Sequence, residues 1–412
     1  MTSIIASMRQ LSGPGSPGLG IVGLVSLGHG ATHWINATLY VLLPFIARDF
    51  GLSYTETGSL MTLFFVTTFF TNVASGPVVD LSARHVVFLI VSLVIGGAAL
   101  LVLGVSAGPA GVALTVILIA ISVSMWHPPS ISYLARVYPG TRGFALSIHT
   151  VGASFGDLVA PPVAGFLMTV LIWRETALIN AAPLFVVAAV VYLMLRELGQ
   201  PDRGAGVRSV SQRYLEGARL LMRDRAFLRL CLLSGLWSMS QNGVMVFLPL
   251  YLVNDLAGGP AAVGIAMAAV QVGALFMGPV AGAWSDRVGR RPVVLASLGI
   301  GAVTIFFIPL VDGIAAFTAL VAVFGCALFS MRPVIHSWTM DLTGARTSGS
   351  AVSMVFAFQA AMTAALPAVG GMVADEWGLA VVFHIMMVSC AAAALIAWSM
   401  PNSRAGAEPA SA

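Results

Sequence analysis

At 412 residues, 58% hydrophobic and only 9% charged, this chain falls far below the roughly 25% charged residues of soluble domains. Its 20 basic residues are all arginine, which excludes a lysine-bearing phosphate loop and any Schiff-base cofactor. No cofactor is expected, and ATP hydrolysis through such a loop is excluded.

The first 19 residues hold Arg9 and several Gly, Ser and Pro, without an apolar core followed by a small-residue cleavage site. They read as a cytoplasmic tail, not a signal peptide. Apolar runs of about 20 residues, each enough to span a bilayer, then follow. They fall near 20–47, 57–80, 86–106, 110–135, 143–171 and 177–196. After a hydrophilic stretch they resume near 227–252, 260–284, 292–311, 314–339, 348–374 and 379–400. The runs are continuous and do not alternate, so each predicts a helix that satisfies its own backbone in lipid. The expected fold is an all-α membrane protein of twelve transmembrane helices in two pseudo-symmetric six-helix bundles, 20–196 and 227–400. The linker 197–226 carries an apolar stripe of Tyr214, Leu215, Ala218, Leu221 and Met222, which predicts either an amphipathic helix on the membrane surface or a solvated tether. Residues 401–412 read as a second cytoplasmic tail.

Charge sets the orientation. Loops after odd-numbered helices carry only Arg48 and Arg174, while the even loops and tails carry 17 arginines. The positive-inside rule then places both termini in the cytoplasm of a bacterial-type inner membrane. Asp49, Glu56, Glu175, Asp255, Asp312, Asp375 and Glu376 lie on the other side. The pI of about 9.2 therefore reflects topology and not nucleic-acid binding. Cys231, Cys326 and Cys390 all fall inside predicted helices, so no disulfide framework is implied.

The chain repeats itself about 205 residues on, as a carrier built from structural repeats would. Pro44 recurs as Pro249, and Gly76, Asp80 and Arg84 recur as Gly282, Asp286 and Arg290. Pro129, Gly140 and Arg142 return as Pro333, Gly344 and Arg346, and Pro162 and Gly165 as Pro367 and Gly370. The loop from Gly282 through Asp286, Arg287, Gly289 and Arg290 to Arg291 resembles the cytoplasmic signature of the major facilitator superfamily. That resemblance implies alternating access, with Gly allowing close helix approach and Asp and Arg making contacts that break as the bundles rock. The first-half copy has Leu81 and Ala83 where the signature has Arg and Gly.

Predicted helices 4 and 5 carry Trp126-His127-Pro128-Pro129-Ser130, then Arg136, Gly140, Arg142-Gly143-Phe144-Ala145 and Val151-Gly152 through Phe155-Gly156. This resembles the fosmidomycin-resistance type of efflux transporter, which implies export. The chain departs from that group at three points. The group's Glu is Pro129 here, the acid expected one turn after His29 is His33, and an acid stands instead at Asp157. Gly152, Gly156, Pro161, Pro162 and Gly165 also partly resemble the Gly- and Pro-rich fifth helix of superfamily antiporters.

Ionisable groups within lipid are functional candidates. Asp157 reads as a proton carrier or substrate contact, with a structural ion pair or a water-exposed cavity acid outside the coupling as the alternatives. Arg332, the basic residue deepest in a predicted span, has three readings: it binds an anion, pairs with Asp157, or snorkels inward. His29, His33 and Asn36, continued by Tyr40, form a polar stripe on helix 1, and Ser234, Ser238, Gln241 and Asn242 answer on helix 7, beside Trp237 as a cavity aromatic or an anchor. Together with His127 and Arg332 they are the candidate substrate contacts, and Asp157, His33 and His127 are the candidate proton-coupling residues. His149, His336 and His384 carry weaker cases, and Trp284 and Trp338 read as interfacial anchors. The histidines are spread over different helices, and His29 and His33, which do have metal-ligand spacing, have no carboxylate partner on their own helix, so no metal site is expected.

The expected activity is proton-coupled efflux of a small amphipathic or anionic compound by a monomer in the bilayer, with no enzymatic step. Uptake of a small organic anion and a non-transporting sensor are the alternatives.

Overall fold

The computed structural model describes residues 18–82, 84–196, 219–343 and 348–402, with the side chains of 75–82, 274 and 348–350 outside the description. Most of the linker and both tails therefore lie outside the described residues. Twelve long helices fill the rest. The first six are α1 (Gly18–Phe50), α2 (Tyr54–Ser82), α3 (His85–Gly104), α4 (Pro109–Val137), α5 (Arg142–Leu167) and α6 (Trp173–Leu195). The second six are α7 (Arg225–Asn254), α8 (Pro260–Val288), α9 (Arg290–Phe307), α10 (Ile314–Leu342), α11 (Ser348–Trp377) and α12 (Leu379–Trp398). Each predicted run is a helix, with ends shifted by no more than four residues. Eleven are long and apolar enough to cross a bilayer; α1 is the exception, because its His and Asn residues dilute its apolar character. The chain is a multi-pass all-α membrane protein.

Local chemistry places the helix ends. Gly-Pro pairs open α4 and α8, where Pro at the first helical position lacks a donor that would have no partner in any case. Ser53 and Glu56 form a reciprocal capping box at α2, and Asp224 accepts from the amides of Ala226 and Phe227 at α7. Between α8 and α9 the chain turns on Gly289, at φ +99°. A Cβ there would meet the side chain of Asn402. Gly289→Ala is expected to cost about 1 kcal/mol or more, seen as a lower melting temperature in detergent. Gly299→Ala, in α9 with nothing within 4 Å of its added Cβ, should not lower it.

By its contacts the chain divides into two compact units, residues 1–42 with 70–207, and residues 43–69 with 208–412. In the first unit α3 lies against α4 and α6. An added Cβ at Gly96 would meet Ser122 and Leu184, and one at Gly97 would meet Phe185. Ser92 and Ser122 each donate to the other's carbonyl at 2.7 Å. Without a hydrophobic force between helices in lipid, small residues and such hydroxyl bonds hold them together.

The second unit repeats the device on the most buried helix, α7. Ser240 donates to the Met386 carbonyl and Ser389 to the Leu236 carbonyl, both at 2.9 Å, joining α7 to α12. Midway along α10 the helix widens into a π segment, Gly325–Phe329, where a Cβ on Gly325 would meet the Val270 backbone of α8. The start of α2 also packs within this unit. Asp375 on α11 accepts from the amides of Tyr54 and Thr55 at 2.8 and 2.9 Å, and Thr62 donates to the Ala364 carbonyl at 2.9 Å.

Candidate functional site

A backbone crossing builds the site. Three glycines, Gly30 on α1 with Gly152 and Gly156 on α5, let the two helices touch in the first unit. An added Cβ on Gly156 would meet the Gly30 carbonyl oxygen, and one on Gly152 the Ser26 carbonyl oxygen. His29 stands next to Gly30 in sequence, and Asp157 next to Gly156. The crossing therefore sets their side chains beside the contact point.

Four imidazoles and one carboxylate meet there. The Nδ1–H of His29 donates to the His149 carbonyl at 2.8 Å, and the two rings stack at 3.9 Å. Trp126 donates its indole N–H to His149 Nε2 at 3.2 Å. Gly28 makes room for that indole, whose ring would occupy the place of a Cβ. From α4, His127 brings its Nε2 to 3.3 Å from His29 Nε2, while its Nδ1–H donates to the Val123 carbonyl at 2.9 Å. His33, one turn along α1, holds Asp157 through Nδ1 and Oδ2 at 2.8 Å. The side chains of His33 and Asp157 are 17% and 21% exposed, whereas His29 and His149 are buried.

Two expectations are corrected here. The spread histidines do gather: His29 and His33 of α1 and His127 of α4 each offer a ring nitrogen, all within 4.8 Å of one another. His149 belongs inside the cluster despite its weaker sequence case. Its position two helical turns before Asp157 on α5 was the signal that finds it. The other stripe residues of α1 lie beyond the cluster, Asn36 half-buried and Tyr40 buried.

The second unit gathers a smaller polar group on α7 and α11. Ser238 shares a 3.0 Å hydrogen bond with Thr363, and Asn242 donates to the Ser238 carbonyl and hydroxyl at 2.9 and 3.1 Å. Gln359 donates to Ser234, one turn away, and Gln241 is buried. Neither Gln359 nor Thr363 stood out in the sequence, because single polar residues are common in long helices. Trp237 is engaged in packing: it is buried and donates to the Leu328 carbonyl at 2.9 Å. Arg332 is exposed on α10, with His336 one turn on, and the His336 ring lies 5.3 Å from that of Phe356. Of the two expected anchors Trp284 is exposed, but Trp338 is fully buried, because α10 turns that face into the unit.

The signature loop is centred on Arg290. Its buried guanidinium donates to Asp286, to Ser285 Oγ at 2.7 Å and to Asp341 at 2.9 Å. Asp341, at the end of α10, is the partner that sequence reading missed. Arg287 is exposed, and nothing described lies within 4 Å of a Cβ at Gly282, so close helix approach is not its use in this structure. Arg84 is exposed ahead of α3, and the side chains of Gly76 and Asp80 lie outside the described residues.

Comparison with known proteins agrees with this architecture. The family described as Major Facilitator Superfamily matches residues 25–257 and again 230–412, as a chain with two related halves would. The chain is 23% identical to the multidrug resistance protein MdtG of Proteus mirabilis (strain HI4320), across 83% of this chain and 86% of that one. It is 28% identical to the fosmidomycin resistance protein of Escherichia coli (strain K12), over 36% of each. Its fold is similar to that of a bacterial homolog of the human lysosomal transporter Spinster, at TM-score 0.77 and 16% identity, covering 92% and 95% of the two chains.

Proposed function

We propose that this chain, which belongs to the major facilitator superfamily, exports a small amphipathic or anionic compound in exchange for protons. The chain is a secondary active transporter of a small molecule that works by alternating access, and not an enzyme. One observation carries the proton assignment: His33 and Asp157 share a hydrogen bond at 2.8 Å, part exposed and backed by three further imidazoles. A carboxylate and an imidazole so joined pass one proton between them without leaving a bare charge in the membrane. The relatives named for drug resistance support the outward direction. The proposed moving bodies are the repeat halves, 20–196 and 227–400, with both termini in the cytoplasm of a bacterial inner membrane.

Uptake of a small organic anion is the second reading, favoured by a cationic residue within a spanning helix, Arg332 of α10. Everted vesicles separate the two. Given an inside-acid gradient, they are expected to concentrate compounds to which overexpression confers resistance. Vesicles that never concentrate any such compound would end the efflux reading.

A further inference from the structure

We propose that His29, His33 and His127 form a three-imidazole site for a divalent transition-metal ion of the Zn2+ class. The inference goes beyond proton coupling and rests on ring geometry within the first unit alone.

The tautomers are fixed by the partners. A backbone carbonyl only accepts, so the Nδ1 atoms of both His29 and His127 carry hydrogen, bonded to His149 O and Val123 O. In their neutral forms both rings then turn an Nε2 lone pair toward the other, 3.3 Å apart. Two such nitrogens hold that approach across a shared cation, which is either a proton, as in an imidazolium–imidazole hydrogen bond, or a metal ion. Tetrahedral zinc binds imidazole at about 2.0–2.1 Å, which sets two ligand nitrogens about 3.3 Å apart. The observed spacing is that edge length. The third ring, His33, brings a nitrogen within 4.8 Å of the other two.

The surroundings complete the argument. Metal-bound histidines give their other N–H to a carbonyl or a carboxylate, which fixes the ring and raises its basicity. All three do so here, His29 to His149 O, His127 to Val123 O and His33 to Asp157 Oδ2. Nitrogen donors with one carboxylate behind them favour Zn2+, Ni2+, Co2+ or Cu2+ over Mg2+ or Ca2+, which take oxygen ligands. Three protein ligands leave the fourth position open, as in sites where the metal exchanges a ligand.

The test uses full-length protein in detergent, purified on a tag without histidine. One equivalent of Co2+ should give the intense visible bands of a four-coordinate site, and Zn2+ should displace it. X-ray absorption of the zinc-loaded parent should show imidazole nitrogens at about 2.0–2.1 Å, a readout that requires no variant. Asp157→Asn, which keeps the hydrogen bond from His33 but removes the charge that raises its basicity, should weaken binding by about 10- to 100-fold, His127→Ala by more, and His384→Gln not at all. A zinc spectrum with only oxygen neighbours or a single imidazole overturns the site, as does equal binding by folded His127→Ala. Binding is read without any gradient, so a failure of proton coupling leaves it intact and the two failures are distinct.

Discussion

Asp157→Asn protein in vesicles should exchange substrate across the membrane at close to the parent rate and fail to accumulate it against a gradient. Asn keeps the size of Asp, and its Oδ1 still accepts a hydrogen bond from His33 Nδ1, so the α1–α5 contact survives. The variant loses the ability to hold a proton and the negative charge that attracts one. Exchange needs only the conformational cycle with substrate bound, whereas uphill accumulation needs a proton carried at each turn. Proton-driven rates should therefore fall by about 100-fold or more, the range over which loss of a positioned proton-transfer group is felt. Measuring both fluxes in the same vesicles decides the matter. Unchanged accumulation would remove Asp157 from the proton path, and lost exchange would recast it as a structural or substrate contact.

How far the sequence reaches can be judged on particular residues. Helix number and limits were legible because lipid demands a continuous apolar run for every crossing, and a run is visible one residue at a time. The repeat was legible because turn and pivot residues recur in register. His29, His33, His127 and Asp157 stood out because charge and imidazole are rare in such runs. What the sequence withheld was which helix faces which. Helical phase tells which residues share a face, but not that α1 and α5 touch through Gly30, Gly152 and Gly156. With that crossing unknown, the histidines looked scattered and a metal site looked excluded. The same gap hid Asp341, which completes the Arg290 network from another helix, and reversed the reading of Trp338. It also hid the π segment of α10, which no residue pattern announced.

If the crossing is what assembles the cluster, widening it must dismantle the cluster. Gly156→Val tests this directly. Its Cβ would meet the carbonyl oxygen of Gly30, a backbone atom that no rotamer moves aside, and its two γ carbons crowd the contact further. Overpacking in a close contact costs about 1–3 kcal/mol, and a backbone neighbour puts this case at the upper end. The helices then separate, taking His33 from Asp157 and His29 from the His149 carbonyl. The expected result is a lower melting temperature with both gradient-driven transport and exchange lost, unlike Asp157→Asn, which keeps its fold and its exchange. Gly143→Ala, in the first turn of α5 with nothing within 4 Å of its added Cβ, should leave all three unchanged. Should Gly156→Val retain parent stability and coupled transport, helix contact at this crossing is not what positions the proton pair. The cluster would then owe its geometry to the hydrogen bonds from α4 and from the His149 carbonyl.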